Sequence, residues 1–129
     1  MQIRGVDFAM YPVTDLARAA RFYRDVLGLR QEIFSEEWHW AEFDCGNLTL
    51  ALKGASPRAE IGYSGRLALA VDDIDAAVRA VKQSGAKIVS GPTDYGVCRS
   101  VEVLDPDGNL LILHRRADGT VGRDAAAKG

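Results

Sequence analysis

A chain of 129 residues, 47% hydrophobic and with a formal net charge of −2, has the size and apolar content of one globular domain that buries a real core. Its 16 basic and 18 acidic residues form no basic run before the short Arg115-Arg116, so it lacks the cationic footprint that nucleic acid requires. No apolar run approaches the roughly 20 residues of a membrane span, and no signal-like segment precedes Val6; no membrane association and a cytoplasmic location are expected.

In chain order, residues 3–13 are apolar and β-prone and read as a strand. Asp15 is placed to cap a helix over 16–28, where Leu16, Ala19, Ala20, Tyr23, Val26 and Leu27 recur at helical spacing and Gly28 stops it. Strands follow at 29–35, 38–45 and, after the Gly46-Asn47 turn, 48–53. The stretch 54–64, with Pro57, Gly62 and few apolar residues, is the one linker-like segment. Beyond it lie a helix at 74–84 ended by Gly85, a strand at 87–90, and a hairpin of strands 99–104 and 110–115. The turn Asp105-Pro106-Asp107-Gly108-Asn109 carries the signals of a tight corner, with Gly108 and Asn109 both able to take positive φ. Alternation then puts Ile112 and His114 on one face of the last strand. Cys45 and Cys98 are far apart and outside any CxxC spacing, so buried free thiols are expected.

The pattern runs twice. Val13, Asp15, Ala19 and Arg21 recur as Val71, Asp73, Ala77 and Arg79 at an offset of 58, and Gly46-Asn47-Leu48 recurs as Gly108-Asn109-Leu110 at an offset of 62. The order of elements repeats with them, giving an α+β chain of two βαβββ modules, about 1–55 and 62–116, with a linker over 56–61 and a small, polar tail over 117–129.

Three motifs in this order, Val13-Thr-Asp-Leu with Phe22-Tyr-Arg-Asp-Val-Leu-Gly-Leu29, Leu69-Ala-Val-Asp-Asp-Ile74, and Asp105-Pro-Asp-Gly-Asn109, resemble the vicinal oxygen chelate superfamily over roughly residues 5–115. That group includes glyoxalase I, extradiol dioxygenases, fosfomycin-resistance transferases and bleomycin-resistance proteins. The resemblance implies an eight-stranded cup with the helices on its convex side, a small-molecule ligand on the concave side, and a homodimer. The metal enzymes of the group use four inward-pointing His or Glu ligands. By motif matching these positions fall on Phe8, on Leu50 or Ala51, on Arg66 and on Ile112. Neither an apolar side chain nor a guanidinium offers a lone pair to a divalent ion, so no metal and no cofactor are expected. Ligands shifted by two residues would be Met10, Lys53, Ala68 and His114, of which only His114 is a plausible donor.

What remains is a lining of Phe8, Met10 and Ile112 with Arg66 among them, either an anchor for an anionic or carbonyl-bearing ligand or a strand residue paired with a surface carboxylate. Trp38 and Trp40, read as i and i+2 on one strand face, are either core or a stacking wall. Tyr95 with Gly96 falls where bleomycin-resistance proteins carry an aromatic-Gly pair at the groove rim, or is an ordinary turn. His114 is either a strand-end residue or the one candidate acid–base group. Glu36, Glu37 and Glu42 read as solvated, with one of them available to Arg66. Two functions result: metal-independent sequestration of an aromatic, optionally anionic, molecule, as in antibiotic resistance, or a glyoxalase- or dioxygenase-type enzyme with relocated ligands or an acid–base mechanism using His114, Tyr11 or Tyr63.

Overall fold

A computed structural model describes residues 1, 2, 4 and 6–123; Ile3, Gly5 and 124–129 lie outside it. The chain divides into two compact units, Met1–Ser64 and Gly65–Gly129, each with one four-stranded sheet and one principal helix.

In the first unit β1 (Ala9–Pro12) leads to α1 (Leu16–Arg21), then β2 (Arg30–Ser35), β3 (Trp40–Asp44) and β4 (Thr49–Lys53), in the sheet order β1-β4-β3-β2. β1 runs parallel to β4 and the other pairs are antiparallel. The Asp15 carboxylate accepts from the Arg18 N–H at 3.0 Å, capping α1. The helix does not continue regularly to Gly28 as its spacing suggests. A π-helical turn, Phe22–Val26, finishes it and places Phe22 and Tyr23 in the core. Tyr11, Val13, Ala19, Ala20, Tyr23, Ala41, Phe43, Leu50 and Leu52 are all buried, and the Tyr23 and Phe43 rings lie 5.9 Å apart. These residues are the contact between α1 and its sheet.

The second unit repeats the plan with β5 (Leu67–Ala70), α2 (Ile74–Ser84), β6 (Ile88–Asp94), β7 (Cys98–Leu104) and β8 (Leu110–Arg116), in the order β5-β8-β7-β6. Asp73 caps α2 by accepting from the Ala76 N–H at 3.1 Å, as Asp15 caps α1, and Gly85 ends it at φ 78°. Ile74, Val78 and Val81 pack against Val101, Val103, Leu111 and Leu113.

Four expectations need correction. The first strand is shorter than 3–13, and part of that range falls on residues outside those described. β6 does not end at 90 but runs on through Gly91-Pro92 to Asp94. In the β7–β8 turn Gly108 has φ 95° but Asn109 does not take positive φ; its amide instead joins its backbone N–H in bonding to Asp105. Cys45 and Cys98 are free thiols but half-buried, and burial pushes the Cys45 thiol up to about 11.

Candidate functional site

Each sheet has one face under its helix and one face away from it, and the strand register assigns every candidate side chain to one of them. In the first unit Met10 aligns with Ala51 and Ala51 with Glu42, while Trp40 aligns with Lys53. Alternation from the buried Tyr11, Ala41, Phe43 and Leu52 puts Phe8, Met10, Trp40, Glu42, Ala51 and Lys53 on the face away from α1. There the Phe8 and Trp40 rings meet edge to face, with centroids 5.6 Å apart and planes at 87°. The Trp40 indole Nε1–H donates to Glu42 Oε2 at 2.8 Å. Among the described residues no ion pair involves Glu42, which is half-buried rather than a solvated surface carboxylate.

Trp38 does not belong with Trp40. Residues 36–39 form a turn in which the Trp38 N–H donates to Ser35 Oγ at 3.1 Å and His39 takes φ 52°, so the strand starts only at Trp40. The Trp38 side chain is 76% exposed, and the two tryptophans share no strand face. Tyr11 lies under α1 at 2% exposure, which removes it from the acid–base candidates on the opposite face, and Tyr63 is an exposed loop residue.

In the second unit Ala68 aligns with Ile112 and Ile112 with Glu102; His114 aligns with Ala70 and Ser100. Arg66, Ile112, His114 and Glu102 therefore share the face away from α2. The Arg66 guanidinium lies 3.8 Å from Glu102 Oε2, with 65% of the arginine side chain and 31% of the glutamate side chain exposed. That is an ion pair too long for a hydrogen bond and open to solvent screening. Within its unit the ion-pair partner of Arg66 is thus Glu102, where the sequence had offered Glu36, Glu37 or Glu42. Sequence reasoning passed over Glu102, although its place between Val101 and Val103 would have pointed it away from the core.

Overlaying the two registers fixes the internal equivalences. The rung Met10–Ala51–Glu42 corresponds to Ala68–Ile112–Glu102, and Phe8 corresponds to Arg66. By register Ala51, not Leu50, is the counterpart of Ile112. The offset of 62 read from the turn motif misplaces it by one because Gly46 stands three residues before the start of β4 and Gly108 only two before the start of β8.

Tyr95 sits at the tip of the β6–β7 hairpin, 64% exposed, with its N–H donating to the Cys98 carbonyl at 2.8 Å. Its neighbour Gly96 lines a cavity of about 340 Å³ at the start of α2, together with Asp72, Asp94, Cys98, Arg99 and Arg115 among others. No sequence signal pointed to this cavity. Its cations are already engaged: Arg99 pairs with Asp75 at 3.2 Å, and Arg115 Nε donates to the Asp72 carbonyl at 2.7 Å. Phe8, Met10, Trp40, Arg66, Ile112 and His114 do not line it.

Two βαβββ units with these motifs have a counterpart among known families: residues 5–113 match the model of the Glyoxalase/Bleomycin resistance protein/Dioxygenase superfamily. The chain belongs to this superfamily. It is 33% identical over 118 residues to the metallothiol transferase FosB of Staphylococcus haemolyticus, covering 87% of this chain and 84% of that one. It is likewise 33% identical over 118 residues to a lactoylglutathione lyase of Haemophilus influenzae, covering 77% of this chain and 83% of that one. Among solved structures, TnmS3, an antibiotic binding protein from Streptomyces sp. CB03234, superposes with a TM-score of 0.76 at 28% identity, over 91% of this chain and 99% of that chain. No helix among the described residues is long and apolar enough to cross a membrane.

The divalent metal that enzymes of the superfamily use does not fit this donor set. The corresponding positions hold Phe8, Ala51, Arg66 and Ile112, three without a lone pair and one a fixed cation. His114 shares a face with Ile112 but is one donor, where a catalytic site needs about three. Among the described residues no group of three or more His, Cys, Asp or Glu side chains could hold an ion.

Proposed function

We propose that this superfamily member binds a small aromatic molecule without a metal and holds it unchanged, as a sequestering protein does. The carrying observation is the edge-to-face Phe8–Trp40 pair on the sheet face away from α1, at the position where metal-dependent relatives of the fold would need a ligand. Phe8 is 48% exposed and Met10 38%, so an aromatic surface stands open with a thioether beside it. A flat ligand stacked there gains about 0.5–1.5 kcal/mol per aromatic pair beyond area burial. With burial of most of a drug-sized ligand, micromolar affinity needs no covalent or metal bond. The similarity to an antibiotic binding protein supports the same reading. On the face of the second sheet we assign Ile112, His114 and the Arg66–Glu102 pair to ligand contact as well, and we propose a homodimer as the assembly. Trp38 and Tyr95, exposed on a turn and a hairpin tip, are the outlying members of that set.

The test is titration of tryptophan fluorescence with a panel of flat polycyclic compounds, in the presence and absence of EDTA, with the ligand recovered and analysed afterwards. Saturable binding that EDTA leaves unchanged, with the compound recovered intact, is the expected result. Binding that appears only after Zn²⁺, Mn²⁺ or Fe²⁺ is added, or conversion of the compound, refutes it. The competing reading, an enzyme, is favoured by the 33% identity to a lactoylglutathione lyase and to a transferase. In that case His114 is the acid–base group, and His114→Ala abolishes the conversion.

A further inference from the structure

We infer that the polar group read by the first sheet's face is a cation, so that the ligand is an aromatic molecule carrying a protonated amine or a guanidinium. This rests on the aromatic-binding reading of that face. The observation behind it is the internal repeat. Each unit places one glutamate on the same rung of its third strand, Glu42 beside Ala51 and Glu102 beside Ile112. In the second unit the guanidinium of Arg66 stands 3.8 Å from that carboxylate. In the first unit the residue equivalent to Arg66 is Phe8, which brings no charge.

Glu42 therefore has the carboxylate but not the cation. Its described partner is a neutral donor, the Trp40 indole N–H at 2.8 Å, which holds one oxygen in place. A carboxylate has about four lone-pair sites, so the fixed group still accepts further hydrogen bonds. The charges nearest to it do not supply the missing partner. Asp44 on the same strand is engaged by Arg30 at 3.0 Å, and Lys53, opposite Trp40, makes no ion pair with Glu42 among the described residues. A half-buried carboxylate beside the Trp40 indole, which Phe8 meets edge to face, suits a cationic nitrogen on two counts. It offers a charge-assisted hydrogen bond, and the indole and phenyl faces attract positive charge. The ligand nitrogen then occupies, for Glu42, the role that Arg66 has for Glu102. An anionic ligand on the first sheet's face meets the Glu42 carboxylate, so that face disfavours it.

Three flat probes of similar size separate the possibilities: 9-aminoacridine, protonated at neutral pH, neutral acridone, and acridine-9-carboxylate. Equilibrium dialysis at low salt against the wild-type protein is expected to show the cation bound about tenfold or more tighter than the anion, the span of one charge-assisted hydrogen bond. Glu42→Gln keeps an oxygen for the Trp40 indole and should remove that preference while acridone binds as before. Equal affinity for cation and anion in the wild type, or a preference that survives Glu42→Gln, overturns the inference while leaving aromatic binding in place. Failure of all three probes to bind overturns the aromatic-binding reading and this inference with it.

Discussion

Removing the Asp105 carboxylate tests whether one turn holds the hairpin that presents Glu102, Ile112 and His114. The side chain is 4% exposed. Its Oδ1 accepts from the backbone N–H groups of Asp107 at 2.9 Å and Asn109 at 2.8 Å, and its Oδ2 accepts from Asn109 Nδ2 at 2.9 Å. Asn109 is itself 1% exposed, so water cannot replace the lost acceptor without opening the turn. Each buried donor left without its partner costs about 1–3 kcal/mol, and three of them set the loss for Asp105→Ala at about 3 kcal/mol or more. Against the roughly 5–15 kcal/mol that holds a domain together, this is a large fraction. Asp105→Asn keeps one oxygen for the two backbone groups but turns an amide toward the Asn109 amide, and should cost about 1–2 kcal/mol. Urea unfolding followed by far-ultraviolet circular dichroism reads both values; both tryptophans lie in the other unit and report it selectively. A loss below about 1 kcal/mol for Asp105→Ala would show that the turn stands on its backbone bonds alone.

Asp15→Ala and Asp73→Ala each remove a helix cap of the same geometry and should each cost about 1 kcal/mol in denaturant midpoint analysis; a loss at only one of them would show that the caps are not equivalent. Gly54→Ala should destabilise by about 1–3 kcal/mol, because the added Cβ would stand 2.8 Å from the Leu16 Cβ at the start of α1; an unchanged melting temperature counts against that packing. With its pKa raised from 9.0 to about 11 by burial, Cys45 should react with iodoacetamide at pH 8 about 100-fold more slowly than an unhindered thiol. The raised value also means that the unfolded thiol ionises first, so stability falls as the pH rises from about 9 to 11. Peptide mapping of the alkylated protein and pH-dependent melting check the two statements.

The elements that sequence reasoning located well are those with local chemical signals. Asp15 and Asp73 announce helix starts, Gly85 announces an end, and the run from Asp105 to Asn109 announces a corner; each acts within about four residues of itself. The misses come from the reverse situation. The 36–39 turn contains no glycine or proline, and His39 takes a positive φ without the residue type that usually marks one, so Trp38 read as strand. Gly91-Pro92 carries the breaker signal in the middle of β6, where pairing with β7 overrides it with irregular register. The choice between Leu50 and Ala51 turned on the place of the motif glycine, three residues before β4 in one turn and two before β8 in the other, which a repeat offset taken from the turn motif itself cannot see. Arg66 reads as a strand residue but stands one residue before β5, and its partner Glu102 lies 36 residues away in sequence, so that only the register of β7 against β8 and of β8 against β5 brings the two together.

The comparison of the two units separates what the fold requires from what the site uses. Beneath the helices the equivalent pairs keep their character: Ala41 with Val101, Phe43 with Val103, Leu50 with Leu111 and Leu52 with Leu113 are all apolar and all buried. On the faces away from the helices the pairs part company: Phe8 stands for Arg66, Met10 for Ala68, Trp40 for Ser100 and Lys53 for His114. A residue outside the core can change without a cavity or overpacking penalty, so divergence there says little by itself. The pair that does not diverge is Glu42 with Glu102. Core packing gives no reason for a carboxylate at either place, since Ala41 and Phe43 on one strand, and Val101 and Val103 on the other, do the packing from the opposite face. In one unit the charge is countered by Arg66 within the chain, and in the other an aromatic pair replaces the cation. A repeated backbone has thus produced one face whose glutamate stands beside an arginine and one whose glutamate makes no ion pair among the described residues, which is the asymmetry an aromatic cation would complete.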